Sequence, residues 1–327
     1  MSEIPLPQAA RRGAPWWLTR HETMLAAILL VALIVLGTLN NRFLTLDNLL
    51  NQGRLTTEVG LIALPMTFII ITGGIDLSVG SIVGLCAILL GYSWKNFGLP
   101  LPLAICFSLL AGTAAGFLNG IVITRVKVPP LIMTIATLAL YRGLAEGISQ
   151  ARSVRGYPEW FYFIGQENLV GVPAQLWLLL IAIVVAAVVL DRTTFGRTLY
   201  AIGNNETAAR FSGLPVDRVK LIIYTLSGFM AGLSACVLVS RVTTTRSDMG
   251  TGYELDVIAT VVLGGTSIFG GVGTIWGTVV GLAMIQLLKN GLALTGVKGD
   301  ATIVVIGTVL ILSTLVASSL QRRREGV

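Results

Sequence analysis

The residues in this chain that could do chemistry are few, and most lie inside apolar runs. Asn48, Asn51, Gln52, Arg54 and Glu58 recur at helical spacing at the start of one run. Asn119 sits between Leu118 and Gly120 in another. Thr134, Thr137, Tyr141, Arg142 and Glu146 follow a third, with Arg142 and Glu146 spaced for an ion pair. Asp76 stands between two runs, in Thr72-Gly73-Gly74-Ile75-Asp76-Leu77-Ser78-Val79-Gly80-Ser81. Glu254 and Asp256 open a later one. A sugar needs hydroxyl partners and often an aromatic face, and this set could supply both. Asn48, Asn51, Gln52, Asp76, Asn119, Thr137, Tyr141 and Arg142 are therefore candidates for lining a ligand path. Each has an alternative role as an interhelical hydrogen bond or a span-end anchor. For Asp76 that alternative is specific. The Gly-Gly pair permits a tight reversal, and Asp76 or Ser78 then caps the next helix.

Other motifs exclude chemistry. The glycine-rich run Gly264-Gly265-Thr266-Ser267-Ile268-Phe269-Gly270-Gly271-Val272-Gly273 is no Walker A loop, because no Lys-Ser or Lys-Thr follows. That pattern occurs nowhere in the chain, so ATP hydrolysis by that route is excluded. Close packing or a broken helix is the better reading. Cys86, Cys106 and Cys236 all fall in apolar runs and read as buried free thiols without metal or redox spacing.

The elements that hold these residues follow from composition. Of 327 residues, 54% are apolar and 12% charged, with mean hydropathy +0.82. A soluble domain carries about twice that share of charge. Continuous apolar runs, rather than short alternating ones, predict an all-α polytopic membrane protein instead of a β-barrel. About ten spans are expected, over 22–40, 47–72, 78–94, 101–123, 130–148, 173–190, 219–240, 254–268, 272–294 and 301–319. Residues 1–21 read as a cytoplasmic leader, 22–319 as the membrane body and 320–327 as a basic cytoplasmic tail. The first apolar run follows a polar leader and lacks a small-residue exit, so it is not read as a cleavable signal.

The net charge of +7 fits loops that anchor topology beside membrane lipids; no basic patch interleaves with aromatics, so nucleic acid is not an expected partner. With both termini inside, Arg11, Arg12, Arg20, Arg125, Lys127, the cations of the 191–220 loop and Arg322–Arg324 share one face. The opposite face has the smaller set. The bias puts residues 191–220 in the cytoplasm. Val79-Gly80-Ser81-Ile82-Val83-Gly84 also parallels Val272-Gly273-Thr274-Ile275-Trp276-Gly277, each after a Gly-Gly pair, which suggests a two-half pseudo-repeat.

Two polar stretches interrupt the body. Asp191–Lys220 carries Arg192, Arg197, Arg210, Arg218 and Lys220. A short helix, Glu206–Phe211, is expected after the Asn204-Asn205 cap, and Gly213-Leu214-Pro215 stops it. Such a helix on an aqueous face suits a soluble partner. Ser149–Pro173 reads as an external loop with Tyr157, Trp160, Phe161, Tyr162 and Phe163, either an interfacial belt or a docking surface.

Together the Gly-Gly-Ile-Asp-Leu-Ser segment, the Gly-Asn-Asn-Glu-Thr-Ala-Ala-Arg-Phe-Ser-Gly-Leu loop and Val262-Leu263-Gly264-Gly265 resemble the sugar-importing ABC permeases. That branch includes ribose, arabinose, xylose, rhamnose and autoinducer-2 systems, and the likeness spans about residues 22 to 319. It implies a multi-pass permease subunit of the bacterial inner membrane, without its own ATPase or cofactor. ATP and Mg would be held by separate cytoplasmic ATP-binding subunits. A periplasmic sugar-binding protein and a second permease copy or paralogue would complete the importer. The resemblance assigns Gly203, Asn204, Glu206, Ala208, Ala209 and Gly213 to ATPase coupling. Thr207 departs from the broader Glu-Ala-Ala pattern, a loosening typical of this branch. Runs at Gly60–Thr67 and Gly84–Ile88, with Arg246-Ser247-Asp248, lean towards rhamnose-type and autoinducer-2-type permeases. The rival class, a stand-alone facilitator or ion-coupled carrier, needs titratable groups along the path, and only Asp76, Glu58 and Glu146 are loosely spaced for it.

Overall fold

Proline sets the start of five helices. Pro100, Pro129, Pro158, Pro173 and Pro215 each stand at the N-cap of the helix that follows, where a missing N–H costs nothing. The computed structural model describes residues 29–31, 33–38, 40–297, 301, 304, 307 and 308. Between Leu46 and Leu294, all described, eleven helices follow one another: α1 Leu46–Ile71, α2 Val79–Lys95, α3 Leu101–Ile121, α4 Pro130–Ser149, α5 Glu159–Gln166, α6 Ala174–Arg192, α7 Thr194–Asn204, α8 Glu206–Phe211, α9 Val216–Val242, α10 Tyr253–Leu263 and α11 Ile275–Leu294. A π-helical turn, Val122–Val126, extends α3. Two two-residue antiparallel pairs join β1 Val154–Arg155 to β4 Thr244–Thr245, and β2 Asn168–Leu169 to β3 Val172–Pro173.

Among the described residues, six helices are long and apolar enough to cross a membrane: α1, α3 with its π turn, α4, α6, α9 and α11. α2 and the preceding stretch Leu29–Thr38 are shorter apolar helices. The expected span 254–268 is corrected. α10 has 11 residues, and at about 1.5 Å each it is too short to cross a core of about 30 Å. Its end comes at Gly264-Gly265, where Gly265 takes φ +90°. The expected leader, the basic tail and most of the expected span 301–319 lie outside the described residues.

The order of burial explains the polar residues of α1. From Thr57 to Ile71 every residue is buried, because α9, α10, α11 and α6 all pack around this helix. Outer faces of α3, α4 and α6 instead expose Leu110, Ile132, Ile181 and Val184, as lipid-facing helices do. α9 packs most extensively on α3. A Cβ at Gly116 would stand 2.2 Å from the Tyr224 carbonyl oxygen, so only small residues permit this approach.

The cysteine reading is corrected in part: Cys86 and Cys236 are buried, but Cys106 is exposed on the outer face of α3. The stretch 149–173 is not one polar loop either. It folds α5, which buries Phe161 and exposes Trp160 and Phe163, while Tyr157 stacks on Trp94 with centroids 4.6 Å apart.

Candidate functional site

Three groups of polar residues stand out, at three levels of the bundle. The first lies at the basic end, the face that the charge bias assigns to the cytoplasm. Asn205 caps α8 by accepting from the Ala208 N–H at 2.9 Å, and Gly213 leaves the helix at φ +78°. Glu206 accepts from Arg210 at 2.8 Å and Lys220 at 2.5 Å. Arg210 reaches Asp217 at 2.6 Å, and Lys127 reaches the same carboxylate at 2.8 Å. Partial burial opposes the charged form of Glu206, but hydrogen bonds from Lys220 and Arg210 outweigh it and hold its carboxyl below the usual range. Asp217 and then Glu206 push the Arg210 guanidinium above its ordinary value.

Six residues are too few for a stable isolated helix. This ion-paired frame and the burial of Ala209, 4% exposed, hold α8 in place. Ala208 and Asn204 face outward. So does Phe211, 87% exposed, which the sequence reading passed over although an aromatic ending a polar helix was a legible signal.

α7 connects this helix to the interior. A Cβ on Gly203 would lie 1.9 Å from the Ile71 carbonyl oxygen and 2.4 Å from the Gly271 nitrogen. The Gly271 N–H itself donates to the Ile71 carbonyl at 2.9 Å, and the Tyr200 hydroxyl donates to the Gly273 carbonyl at 2.6 Å. The two glycine turns noted as a repeat therefore touch each other, and α7 rests on both. Each turn opens a helix that runs away from the basic end.

The second group surrounds Asp76, which is fully buried. Its Oδ1 accepts from the Ser78 N–H at 3.0 Å and the Ser78 hydroxyl at 2.6 Å. Its Oδ2 accepts from the Ser227 hydroxyl at 3.1 Å. Ser78, at the N-cap, makes no side-chain cap itself; the carboxylate holds the helix start. Asn119 donates to the Ser78 Oγ at 2.8 Å, and Tyr141 donates to the Ala115 carbonyl at 2.9 Å. Thr137, also buried, spends its hydroxyl on the Met133 carbonyl of its own helix at 3.0 Å. Asp76, Asn119 and Tyr141 meet through Ser78 as a packed network rather than a cavity wall, and Thr137 stays outside its hydrogen bonds.

Arg142 is corrected. No ion pair joins it to Glu146 among the described residues. Its guanidinium donates to the carbonyls of Ser247 and Met249, the latter at 3.0 Å. Those carbonyls lie closer to its tip than the exposed Glu146 side chain does, so Arg142 ties α4 to the loop before α10.

The third group lies at the opposite end. α1, α9, α10 and α11 line an open cavity of about 320 Å³. Glu58, 1% exposed, is gripped by Arg241 at 2.6 Å and by the Tyr253 hydroxyl at 2.7 Å. Asp256 pairs with Lys289 at 2.5 Å. Gln52 and Gln286 complete the wall. Asn48 lies beside it, bonded both ways to Asn290 at 2.9 and 3.0 Å, whereas Asn51 is exposed and turned away. The sequence reading found Asn48 and Gln52, but missed Gln286, Lys289 and Arg241. Nothing local marks these residues: Arg241 meets Glu58 across 183 positions, and Lys289 meets Asp256 from a different helix, 33 positions away.

This is a membrane bundle with a polar cavity at one end and a partner-sized helix at the other, the layout of a transport subunit. The family model described as "Branched-chain amino acid transport system / permease component" matches residues 48–314. The autoinducer 2 import system permease protein LsrD of Escherichia coli (strain K12) is 35% identical over 94% of each chain. The ribose import permease protein RbsC of Bacillus subtilis (strain 168) is 41% identical over 88% of this chain and 89% of its own. The LsrD of Shigella flexneri matches at the same 35%. The chain belongs to this family of ABC importer permeases. It is a multi-pass protein of the bacterial inner membrane and a transport component, not an enzyme. Permease components of this family work with ATP-binding subunits and a substrate-binding protein.

Proposed function

We propose that this chain is the membrane-spanning subunit of an importer for a neutral monosaccharide or a sugar-like diol, driven by ATP on a separate subunit. Two observations support the ligand class. The relatives are permeases for autoinducer 2 and ribose, and the four charges in the cavity wall are paired. The runs at Gly60–Thr67 and Gly84–Ile88 favour a rhamnose-like sugar within that class.

The observation that carries the mechanism is the seat of α7 and α8. Ala208 and Phe211 present a small residue and an aromatic to a partner, and Gly203 rests on both glycine turns. Gly203, Asn204, Glu206, Ala208, Ala209 and Gly213 form the coupling element in this reading. ATP binding draws the ATPase subunits together, α8 moves with them, and α7 passes the motion to the starts of α2 and α11. Ligand affinity must differ between the outward-open and inward-open states for net transport to occur. ATP and Mg stay on the partner. A second permease copy or a paralogue completes the pore.

The test is uptake of labelled L-rhamnose, D-ribose and autoinducer 2 into vesicles holding this chain with or without its ATP-binding subunits. Uptake should require those subunits and ATP. Ala208→Glu should abolish it while the chain still inserts. Uptake by this chain alone would favour the stand-alone facilitator and defeat the proposal.

A further inference from the structure

Two glutamine side chains in the wall of the cavity at the opposite end make no hydrogen bond among the described residues. Gln52 is 8% exposed and Gln286 is 6% exposed, and both line the space. No side-chain hydrogen bond of either amide occurs among the described residues. Their amide heads open into the space, where water or a ligand can pair them. Here two such amides, from α1 and α11, border one cavity of about 320 Å³. That volume is at the low end of small-molecule sites, which run about 300–1,000 Å³.

Chemistry narrows the occupant. The four charges in the wall cancel in pairs, Glu58 with Arg241 and Asp256 with Lys289. A zwitterion such as an amino acid would have to break those pairs or enter without counter-charges, and either is expensive. An amide both donates and accepts, as a hydroxyl does. Leu55, Val59 and Ala293 also line the space and offer apolar surface to the carbon face of a sugar ring.

We propose that this cavity is a ligand subsite of the transport path, built for one uncharged polyol whose neighbouring hydroxyls pair with Gln52 and Gln286. Arg241 and Tyr253 hold the Glu58 carboxylate rigid behind it. The inference rests on the importer reading above and adds to it the place and polarity of the site.

The experiment uses the complete importer, with its ATP-binding subunits and substrate-binding protein. Uptake of labelled D-ribose, L-rhamnose and L-leucine by the unaltered complex tests the importer reading by itself. Gln52→Leu and Gln286→Leu then test the subsite. Each removes one two-way hydrogen bond and should lower sugar uptake about tenfold. ATPase association should not change, because neither residue touches α7 or α8. Wild-type sugar uptake retained in the double variant overturns the subsite and leaves the importer reading intact. Leucine uptake with no sugar uptake by the unaltered complex overturns both.

A second measurement guards against misfolding. Gln286→Cys in a Cys106→Ser background should react with a membrane-impermeant thiol reagent. Millimolar D-ribose or L-rhamnose should slow that reaction several-fold, and L-leucine should not. Equal labelling with and without sugar, or protection by leucine, overturns the proposal.

Discussion

The two ends of this bundle treat polar groups in opposite ways. At the basic end, Glu206, Arg210, Asp217, Lys220 and Lys127 satisfy one another on a half-exposed surface. At the other end, Glu58 is sealed and paired, yet the amides beside it make no side-chain hydrogen bond among the described residues. A closed network fixes a shape. An open one leaves hydrogen-bonding capacity for something absent from the chain. The contrast fits a rigid handle at one end and a receptive cavity at the other, joined through α7 and the glycine turns.

The sharpest way to break that picture is Gly203→Val. The side chain would enter the Ile71 carbonyl oxygen and the Gly271 nitrogen, both backbone atoms that cannot swing aside. Overpacking of this kind costs about 1–3 kcal/mol or more. ATP-driven uptake should fall to background while ATPase subunits still co-purify, since α8 itself is untouched. Full uptake in this variant would mean that the handle reaches the bundle by another route.

Asp76 tests the middle of the molecule. Asp76→Leu strands the Ser78 N–H and the hydroxyls of Ser78 and Ser227 in the interior, and each stranded group costs about 1–3 kcal/mol. Asp76→Asn keeps one acceptor oxygen, and its amide can donate to Ser227, so the expected loss is about 1 kcal/mol or less. Thermal unfolding in detergent should rank wild type, Asn, then Leu. If Asn stops transport as completely as Leu at equal stability, the charge itself matters and the residue is more than a cap.

How much of this could be read from the chain differs between the same two ends. The handle was legible because its determinants are local. Asn205, Glu206, Gly213 and Pro215 lie within eleven residues, and the helix occupies Glu206–Phe211 as they dictate. Helix positions in the body were legible as well, from continuous apolar runs and prolines. The cavity was not. Gln52 lies on α1, Arg241 on α9 and Gln286 on α11, and no periodicity reports which helices become neighbours. Arg142 failed for a related reason: spacing on one helix suggested Glu146, but carbonyls from a distant loop were nearer. Cys106 failed because an apolar run does not tell the lipid face from the core.

Gly213 sharpens the account of the handle at a smaller scale. A clash inside the bundle does not explain glycine here, because no atom of the described residues lies within 4 Å of a Cβ at this position. The backbone supplies the reason, at φ +78°. A side chain in that region costs roughly 1–2 kcal/mol, least for Asn. Gly213→Val should therefore reduce uptake strongly and Gly213→Asn only slightly. If Asn and Ala abolish uptake as fully as Val, the space is occupied by a partner, and the contact explanation returns.

The smallest expected effect concerns the ionic frame of α8. Lys220 and Arg210 overcome the effect of partial burial and hold the Glu206 carboxyl below its ordinary value of 4.5. A carboxylate with a lowered folded value adds stability that is complete above 4.5 and disappears as pH falls through the folded value. The helix should thus be unchanged between pH 7 and 5 and loosen below 4.5. With Glu206 39% exposed, solvent screens the pairs, and the whole effect should stay near 1 kcal/mol or less. Amide-exchange protection of residues 206–213, corrected for the intrinsic rate at each pH, would report it. Glu206→Gln should lower protection at pH 7 and flatten the acid step, leaving whatever Asp217 contributes through Arg210 and Lys127. An acid step of the same size in Glu206→Gln would assign the frame to Asp217 instead, and the handle would then be held from α9 alone.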